Sequence, residues 1–171
     1  MGSRLGAALV LAAAALLGAT VARAYEERLR TLRVWQGALS MLMTEIVYGS
    51  TPLPEALQRV ARHTSSPVAE FLADVGTALH AQPATPAGEL WRRAAAGRPG
   101  WCLAPEDEAV LVELGSCLGQ SAAADQERHL RRALAQLAHL HDQAEAQRDA
   151  HGRLWRYLGL CAGGCLVLLL Y

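Results

Sequence analysis

The feature that most constrains this chain is an apolar stripe that leads into a turn rich in glycine and proline. From Leu29 to Ile46 the large apolar residues recur every three or four positions, which is the period of one buried helix face. Between Gly49 and Pro54 the pattern stops, because glycine and proline are the strongest helix breakers. A second apolar stripe then begins. The pattern predicts two helices folded back on each other around a sharp corner. The first stripe comprises Leu29, Leu32, Trp35, Leu39, Leu42 and Ile46.

The residues of the corner predict how each helix ends or begins. Gly49 is expected to take the left-handed conformation that terminates a helix, because it has no Cβ to clash. Thr51 suits the N-cap of the second helix, with Pro52 at the first helical position, where its missing N–H costs nothing. Glu55 then lies at the positive end of the helix dipole. The sequence therefore predicts a polar and rigid corner.

The rest of the chain repeats the alternation of apolar stripes and breakers. Alanine, leucine and arginine dominate and β-branched residues are sparse, a composition that favours helix. Further helices are expected to begin near residues 52, 67, 86, 104 and 122. Gly115 lies inside one of them and is expected to permit close approach of a neighbouring helix. The predicted fold class is all-α, a small bundle of about six helices.

The N-terminal segment is apolar enough to cross a bilayer. Leu5 to Ala22 is an 18-residue run without charge, and about 20 apolar residues span a membrane. The arginines that follow favour a cytoplasmic position for the downstream side. We therefore expect a transmembrane helix over 4–23 and a cytoplasmic bundle over 24–157. The sequence Ala22-Arg23-Ala24 is also typical of signal-peptide cleavage, which leaves a secreted or cell-surface protein as the alternative.

The C-terminal segment is expected to form a short second transmembrane segment over 158–171. The 13 residues from Leu158 to Leu170 cover about 20 Å as a helix, less than the roughly 30 Å of a hydrocarbon core. Trp155 and Tyr157 would suit the membrane interface. A peripheral, half-inserted tail remains the other interpretation of this segment.

The corner carries a family resemblance. The sequence from Glu45 to Leu57, Glu-Ile-Val-Tyr-Gly-Ser-Thr-Pro-Leu-Pro-Glu-Ala-Leu, resembles the signature of the stage III sporulation protein AB family of endospore-forming bacteria. More distantly, Gly-x-x-Pro-Leu-x-x-Ala-Leu is similar to the helical domain of type II secretion F proteins. The segment that contains Leu114-Gly115 and Leu118-Gly119 looks like the second corner of the family, because the secretion F domain has a comparable glycine-containing turn there. The resemblance extends along the whole chain.

The resemblance implies a function in sporulation. It implies a component of the channel between mother cell and forespore, lying in the outer forespore membrane with its central domain in the mother-cell cytoplasm. By similarity to secretion F proteins, that domain would dock the channel's hexameric secretion-type ATPase and work beside other membrane components of the channel. The protein would then be a scaffold that binds lipid and protein.

The charged and aromatic residues of the corner have two interpretations. Glu55 could serve only the helix dipole while Glu45 is simply exposed, or both could belong to a partner-binding surface. We favour binding, because capping alone would not need two prolines and Tyr48, and because a fixed backbone loses little entropy on docking. The expected partner-binding residues are Glu45, Tyr48, Gly49, Thr51, Pro52, Leu53, Pro54 and Glu55.

The sequence offers no pattern for catalysis, cofactor binding or metal binding. It contains no phosphate-binding glycine loop and no nucleophile elbow. His139 and His141 are two residues apart, so on a helix they point in different directions. The four cysteines form no C-x-x-C pair, and the net charge of zero gives no basic field for nucleic acid. We expect a non-enzymatic platform, with a ligand-sensing regulator as a weaker third possibility.

Overall fold

The structure of the chain, a computed structural model, consists of helices joined by turns and loops over the residues that it describes, with no strand among them. Its six α-helices confirm the all-α prediction. The backbone is described for residues 2–96, 102–119 and 123–170, and the side chains for residues 18–96, 102–119 and 125–150. The helices are α1 (Gly2–Met43), α2 (Leu53–Arg62), α3 (Val68–Ala81), α4 (Ala87–Ala96), α5 (Pro105–Cys117) and α6 (Ala123–Leu170).

The chain divides into two compact units. One covers residues 28–141, and the other consists of residues 1–27 and 142–171. The expected transmembrane segments fall in the second unit, and most of their side chains lie outside the described residues, as does Ser121, the expected cap of α6. Over the residues that are described, no helix combines the length and apolarity needed to cross a membrane.

An aromatic cluster joins three helices in the core of the unit 28–141. Trp35 of α1 lies 5.6 Å from Phe71 of α3 and 6.2 Å from Trp91 of α4, measured between ring centroids. Phe71 and Trp91 are 4.8 Å apart and nearly perpendicular, at 87°, an edge-to-face arrangement that aromatic rings favour. All six residues of the predicted α1 stripe are buried, which confirms that helix face.

The inward faces of α4 and α6 differ in part from what the apolar spacing predicts. On α4 the spacing predicts that Ala94 and Ala95 face inward with Leu90 and Trp91, and both alanines are only half-buried in the last turn. On α6 it predicts that Leu134 lies in the buried stripe, and the structure buries Ala133 and leaves Leu134 half-buried. Successive residues of a helix are about 100° apart, so a stripe through positions 130, 133 and 137 turns residue 134 partly outward.

Glycines allow α4 and α5 to pack closely. A Cβ placed on Gly115 would lie 2.2 Å from Cδ1 of Trp91, and one on Gly88 would lie 2.8 Å from the Cα of Ser116. Neither distance is sterically possible, so both positions require glycine when α4 and α5 lie this close together. The predicted role of Gly115 is confirmed.

A buried ion pair links α1 to α5. Arg28 donates from Nε to Oδ2 of Asp107 at 2.7 Å and from Nη2 to Oδ1 at 2.9 Å. The Asp107 side chain is fully buried, and its Oδ2 also accepts the backbone N–H of Ala104 at 2.9 Å, which caps α5. Acids in the first turn of a helix are expected from the sequence to serve its dipole, and Asp107 in addition pairs with Arg28.

Candidate functional site

The end of α1 widens into a π-helical turn, Thr44–Tyr48. The backbone N–H of Gly49 donates to the carbonyl of Thr44, five residues earlier, at 3.0 Å. The N–H of Thr51 then reaches back to the carbonyl of Glu45 at 3.0 Å. These two bonds satisfy carbonyl groups that a helix end otherwise leaves unpaired. They also fix the path of the chain out of α1.

The prediction of a left-handed Gly49 is wrong. Gly49 has φ −81° and ψ −15°, a right-handed conformation, and the left-handed residue is Ser50, with φ 48°. Glycine is required at position 49 for space instead. A Cβ there would lie 2.7 Å from the carbonyl oxygen of Glu45, because the π turn brings that oxygen close to the following residue.

The prediction that Thr51 caps the second helix is also wrong. α2 begins at Leu53, and the carbonyl of Pro52 accepts its first helical bond, from Ala56 at 2.9 Å. A cap at Thr51 would use backbone donors two or three residues later, and one of these two positions, Pro54, has no N–H to offer. The hydroxyl of Thr51 donates instead to Oε2 of Glu45 at 2.9 Å.

Glu45 holds α1 against α2. Besides the bond from Thr51, Oε2 of Glu45 accepts a hydrogen bond from Nη1 of Arg59 at 2.8 Å. The Glu45 side chain is 23% exposed, so this pair is only partly screened by water. Glu45 is thus neither simply exposed nor free for a partner, because its carboxylate and its carbonyl both brace the corner.

Leu53 connects this corner to a second one. α5 ends at Cys117, and Gly119 follows with φ +78°, the left-handed conformation that glycine tolerates. A Cβ on Gly119 would lie 3.2 Å from Cδ2 of Leu53 and 3.2 Å from Cβ of Ala87. The Leu-Gly segment at the end of α5 therefore packs against the first corner, and Leu53 is half-buried between them.

The accessible face of the corner is aromatic and acidic. Tyr48 is 74% exposed, the highest value among the large apolar side chains that the structure describes. Pro52 and Glu55 are also exposed. Neither Tyr48 nor Glu55 has a side-chain hydrogen bond or ion pair with a described residue. Of the eight expected partner-binding residues, four are half-buried and four are exposed, the exposed ones being Tyr48, Gly49, Pro52 and Glu55.

Comparison with known proteins identifies the family of the chain. The family described as Stage III sporulation protein AB matches residues 4–171. The chain belongs to this family. Stage III sporulation protein AB of Bacillus subtilis (strain 168) is 30% identical over 169 residues, which are 97% of this chain and 97% of that protein.

The fold of the stage III sporulation protein AB family is also found in a solved structure. That structure, of a Stage III sporulation protein AB, matches with a TM-score of 0.65 and 28% identity, covering 72% of this chain and 98% of its own. Membership of the stage III sporulation protein AB family supports a role in sporulation. The relatives' names state no enzymatic activity.

The sequence does not indicate that Arg59 takes part in the corner of this stage III sporulation protein AB family member. Arg59 lies four residues after Glu55, the spacing at which a helix usually forms an ion pair. The structure pairs Arg59 with Glu45 instead, 14 positions away. The fold of the corner brings that acid within reach, and no local spacing indicates it.

Proposed function

We propose that this protein is a non-enzymatic membrane platform of a secretion-like channel between mother cell and forespore. Its two terminal segments, 4–23 and 158–171, hold it in the outer forespore membrane, and the bundle between them lies in the mother-cell cytoplasm. The corner between α1 and α2 docks the channel's hexameric secretion-type ATPase. Energy comes from the nucleotide that the ATPase hydrolyses, and the platform positions that motor beside the other membrane components of the channel.

The observation that carries this proposal is an exposed aromatic side chain on a braced backbone. Tyr48 is 74% exposed, so its ring is available to a partner, and burying an aromatic ring on binding is favourable. Glu45 ties the chain on both sides of the turn through Thr51 and Arg59. A corner already held in shape loses little conformational entropy on binding. Tyrosine is also among the residues that contribute most to protein interfaces.

A binding measurement tests the docking. The full-length chain in detergent micelles is titrated with the purified ATPase of the same cells. Tyr48→Ala should weaken binding at least about 10-fold, the loss typical of an interface anchor, with an unchanged melting temperature. His63→Ala removes another exposed ring at the far end of α2 and should leave the affinity unchanged. Equal affinities for all three proteins would contradict docking at the corner.

Photo-cross-linking in sporulating cells tests the partner's identity. A cross-linker at position 48 or 55 should capture an ATPase subunit, and one at position 63 should not. Capture of the ATPase only from position 63 would contradict the proposed surface.

The comparisons do not favour the alternative of a secreted protein. Sequencing the N-terminus of the chain from purified membranes tests it directly. A mature chain that starts near Ala24 would support secretion, and one that starts at Met1 would exclude it.

A further inference from the structure

We infer that a cavity between α4 and α5 receives a phenylalanine side chain of a partner protein. An acid and a base of that partner, on either side of the phenylalanine, pair with Arg92 and Glu108. The inference goes beyond the proposed function of the corner, because it concerns another surface of the bundle.

The cavity is apolar at its base and open on one side. Its volume is about 180 Å³. The buried residues Trp91 of α4 and Leu111 of α5 form its floor. Ala95 and Val112, which are half-buried, form its sides. An apolar group that enters from solvent would therefore be removed from water on both helices, which is favourable.

The cavity is separate from the corner between α1 and α2. Leu53 of the corner and Ala87, the first residue of α4, both lie beside Gly119. Ala95 is eight residues further along α4, about 12 Å at 1.5 Å per residue. A side chain bound in the cavity would therefore leave the corner free for its own partner.

The size of the cavity favours a single large side chain. Sites for cofactors and drug-sized ligands usually occupy about 300–1,000 Å³, which is more than this cavity offers. An apolar cavity of about 150 Å³ is large enough to bind benzene. The 180 Å³ between α4 and α5 therefore suits a phenyl ring. Such a ring would meet the indole of Trp91, and contacts between aromatic rings are favourable.

Two opposite charges flank the cavity. Arg92 of α4 and Glu108 of α5 both line it, and both are exposed. Neither side chain has an ion pair or a hydrogen bond with a described residue. The adjacent arginine differs, because Arg93 pairs with Glu89 on its own helix and lines another groove, beside α3. The bundle thus leaves one positive and one negative group at the cavity for another chain.

These groups divide the recognition between affinity and selection. Most of the affinity of an interface comes from a few anchors in well-packed pockets, surrounded by a polar rim. The ring in the cavity would be such an anchor. Charge pairs at a rim mainly speed association and reject wrong partners. An acid opposite Arg92 and a base opposite Glu108 would therefore select the segment that carries the ring.

Two synthetic peptides test the anchor. One has a phenylalanine between a glutamate and an arginine, and the other has alanine in place of the phenylalanine. Binding to the full-length chain in lipid nanodiscs is followed by the fluorescence anisotropy of a dye on the peptide. The phenylalanine peptide should bind saturably, and the alanine peptide at least about 10-fold more weakly. Equal binding of the two peptides, or no saturable binding of either, would overturn the inference.

Substitutions that fill the cavity test where the peptide binds. Ala95→Phe fills it from α4 and Val112→Phe from α5, and each should weaken the phenylalanine peptide at least about 10-fold. Two variants on different helices keep the test valid if one of them fails to fold. The matched control is Ala94→Phe, since Ala94 is also half-buried but lines the groove beside α3. Equal loss in the control, or wild-type affinity in the filled variants, would refute the site.

A change of charge tests the flanking pairs. A third peptide has a second arginine in place of the glutamate. Wild type should prefer the peptide with the glutamate by about threefold at low salt, and Arg92→Glu should prefer the third peptide. Arg93→Glu, the matched control, should keep the wild-type preference. If Arg92→Glu ranks the peptides as wild type does, the charged flanks are refuted. Tyr48→Ala should bind all three peptides like wild type, so these results are independent of the proposed docking at the corner.

Discussion

The ion pair between Arg28 and Asp107 permits a quantitative test of how α1 is held to α5. Asp107→Ala would remove the bidentate partner of Arg28, whose side chain is only 13% exposed, and leave it only the weaker contact with Glu106 at 3.6 Å as an ion pair. It would also remove the acceptor for the N–H of Ala104 at the start of α5. Breaking a buried pair from one side costs about 3–5 kcal/mol, and a lost cap costs about 1 kcal/mol. Because Arg28 keeps some contact with water, we expect Asp107→Ala to lower the free energy of unfolding by about 4 kcal/mol in total.

The assay is thermal unfolding of the full-length chain in micelles, followed by far-UV circular dichroism. For a unit of this size, 1 kcal/mol corresponds to about 4 °C, so Asp107→Ala should lower the melting temperature by roughly 15 °C. The matched control is Glu106→Ala. Glu106 lies 3.6 Å from the same guanidinium but its side chain is 58% exposed, so its loss should cost less than about 1 kcal/mol.

A double substitution separates the ion pair from simple loss of packing. Arg28→Met combined with Asp107→Leu removes both charges, so no buried charge is left without a partner. This variant should be more stable than either single variant, although the lost cap still costs about 1 kcal/mol. The reasoning is refuted if Asp107→Ala melts no lower than Glu106→Ala, or if the double variant is less stable than both single variants.

Thermal unfolding also checks three smaller effects. Gly115→Ala should lower stability by about 2 kcal/mol, because overpacking against Trp91 outweighs the better helix propensity of alanine; an unchanged melting temperature would contradict the close crossing. Gly49→Ala should cost about 1–2 kcal/mol, since its Cβ meets the carbonyl oxygen of Glu45; a gain in stability would mean that the π turn is absent. Ser50→Gly should raise stability by about 0.5 kcal/mol by relieving a left-handed serine, and a loss would argue against that conformation.

The positions of the helices could be predicted because their signals are local. Apolar residues at a spacing of three or four mark one helix face wherever they occur, and the stripe from Leu29 to Ile46 is buried as expected. Proline and glycine mark the breaks between stripes for equally local reasons. The family signature from Glu45 to Leu57 lies on one such break, so the candidate corner was also visible in the sequence.

The chemistry inside the corner could be predicted only in part. Glycine at position 49 is required, but for the space beside Glu45 and not for a left-handed turn. Thr51 has several possible bonds that the sequence cannot rank, and the nearby carboxylate takes its hydroxyl. Backbone geometry decided between these options, because hydrogen bonds depend on tenths of an ångström.

By itself, the sequence determined the helical class, the helix faces and the position of the corner. Only the tertiary structure decided which charges meet, because residues distant in the chain become neighbours only when the helices pack. Arg28 reaches Asp107 across 79 positions, and Arg59 binds Glu45 in preference to the acid one turn away. Burial then makes the first of these pairs costly to break from one side, and the second leaves Glu55 exposed without an ion pair among the described residues.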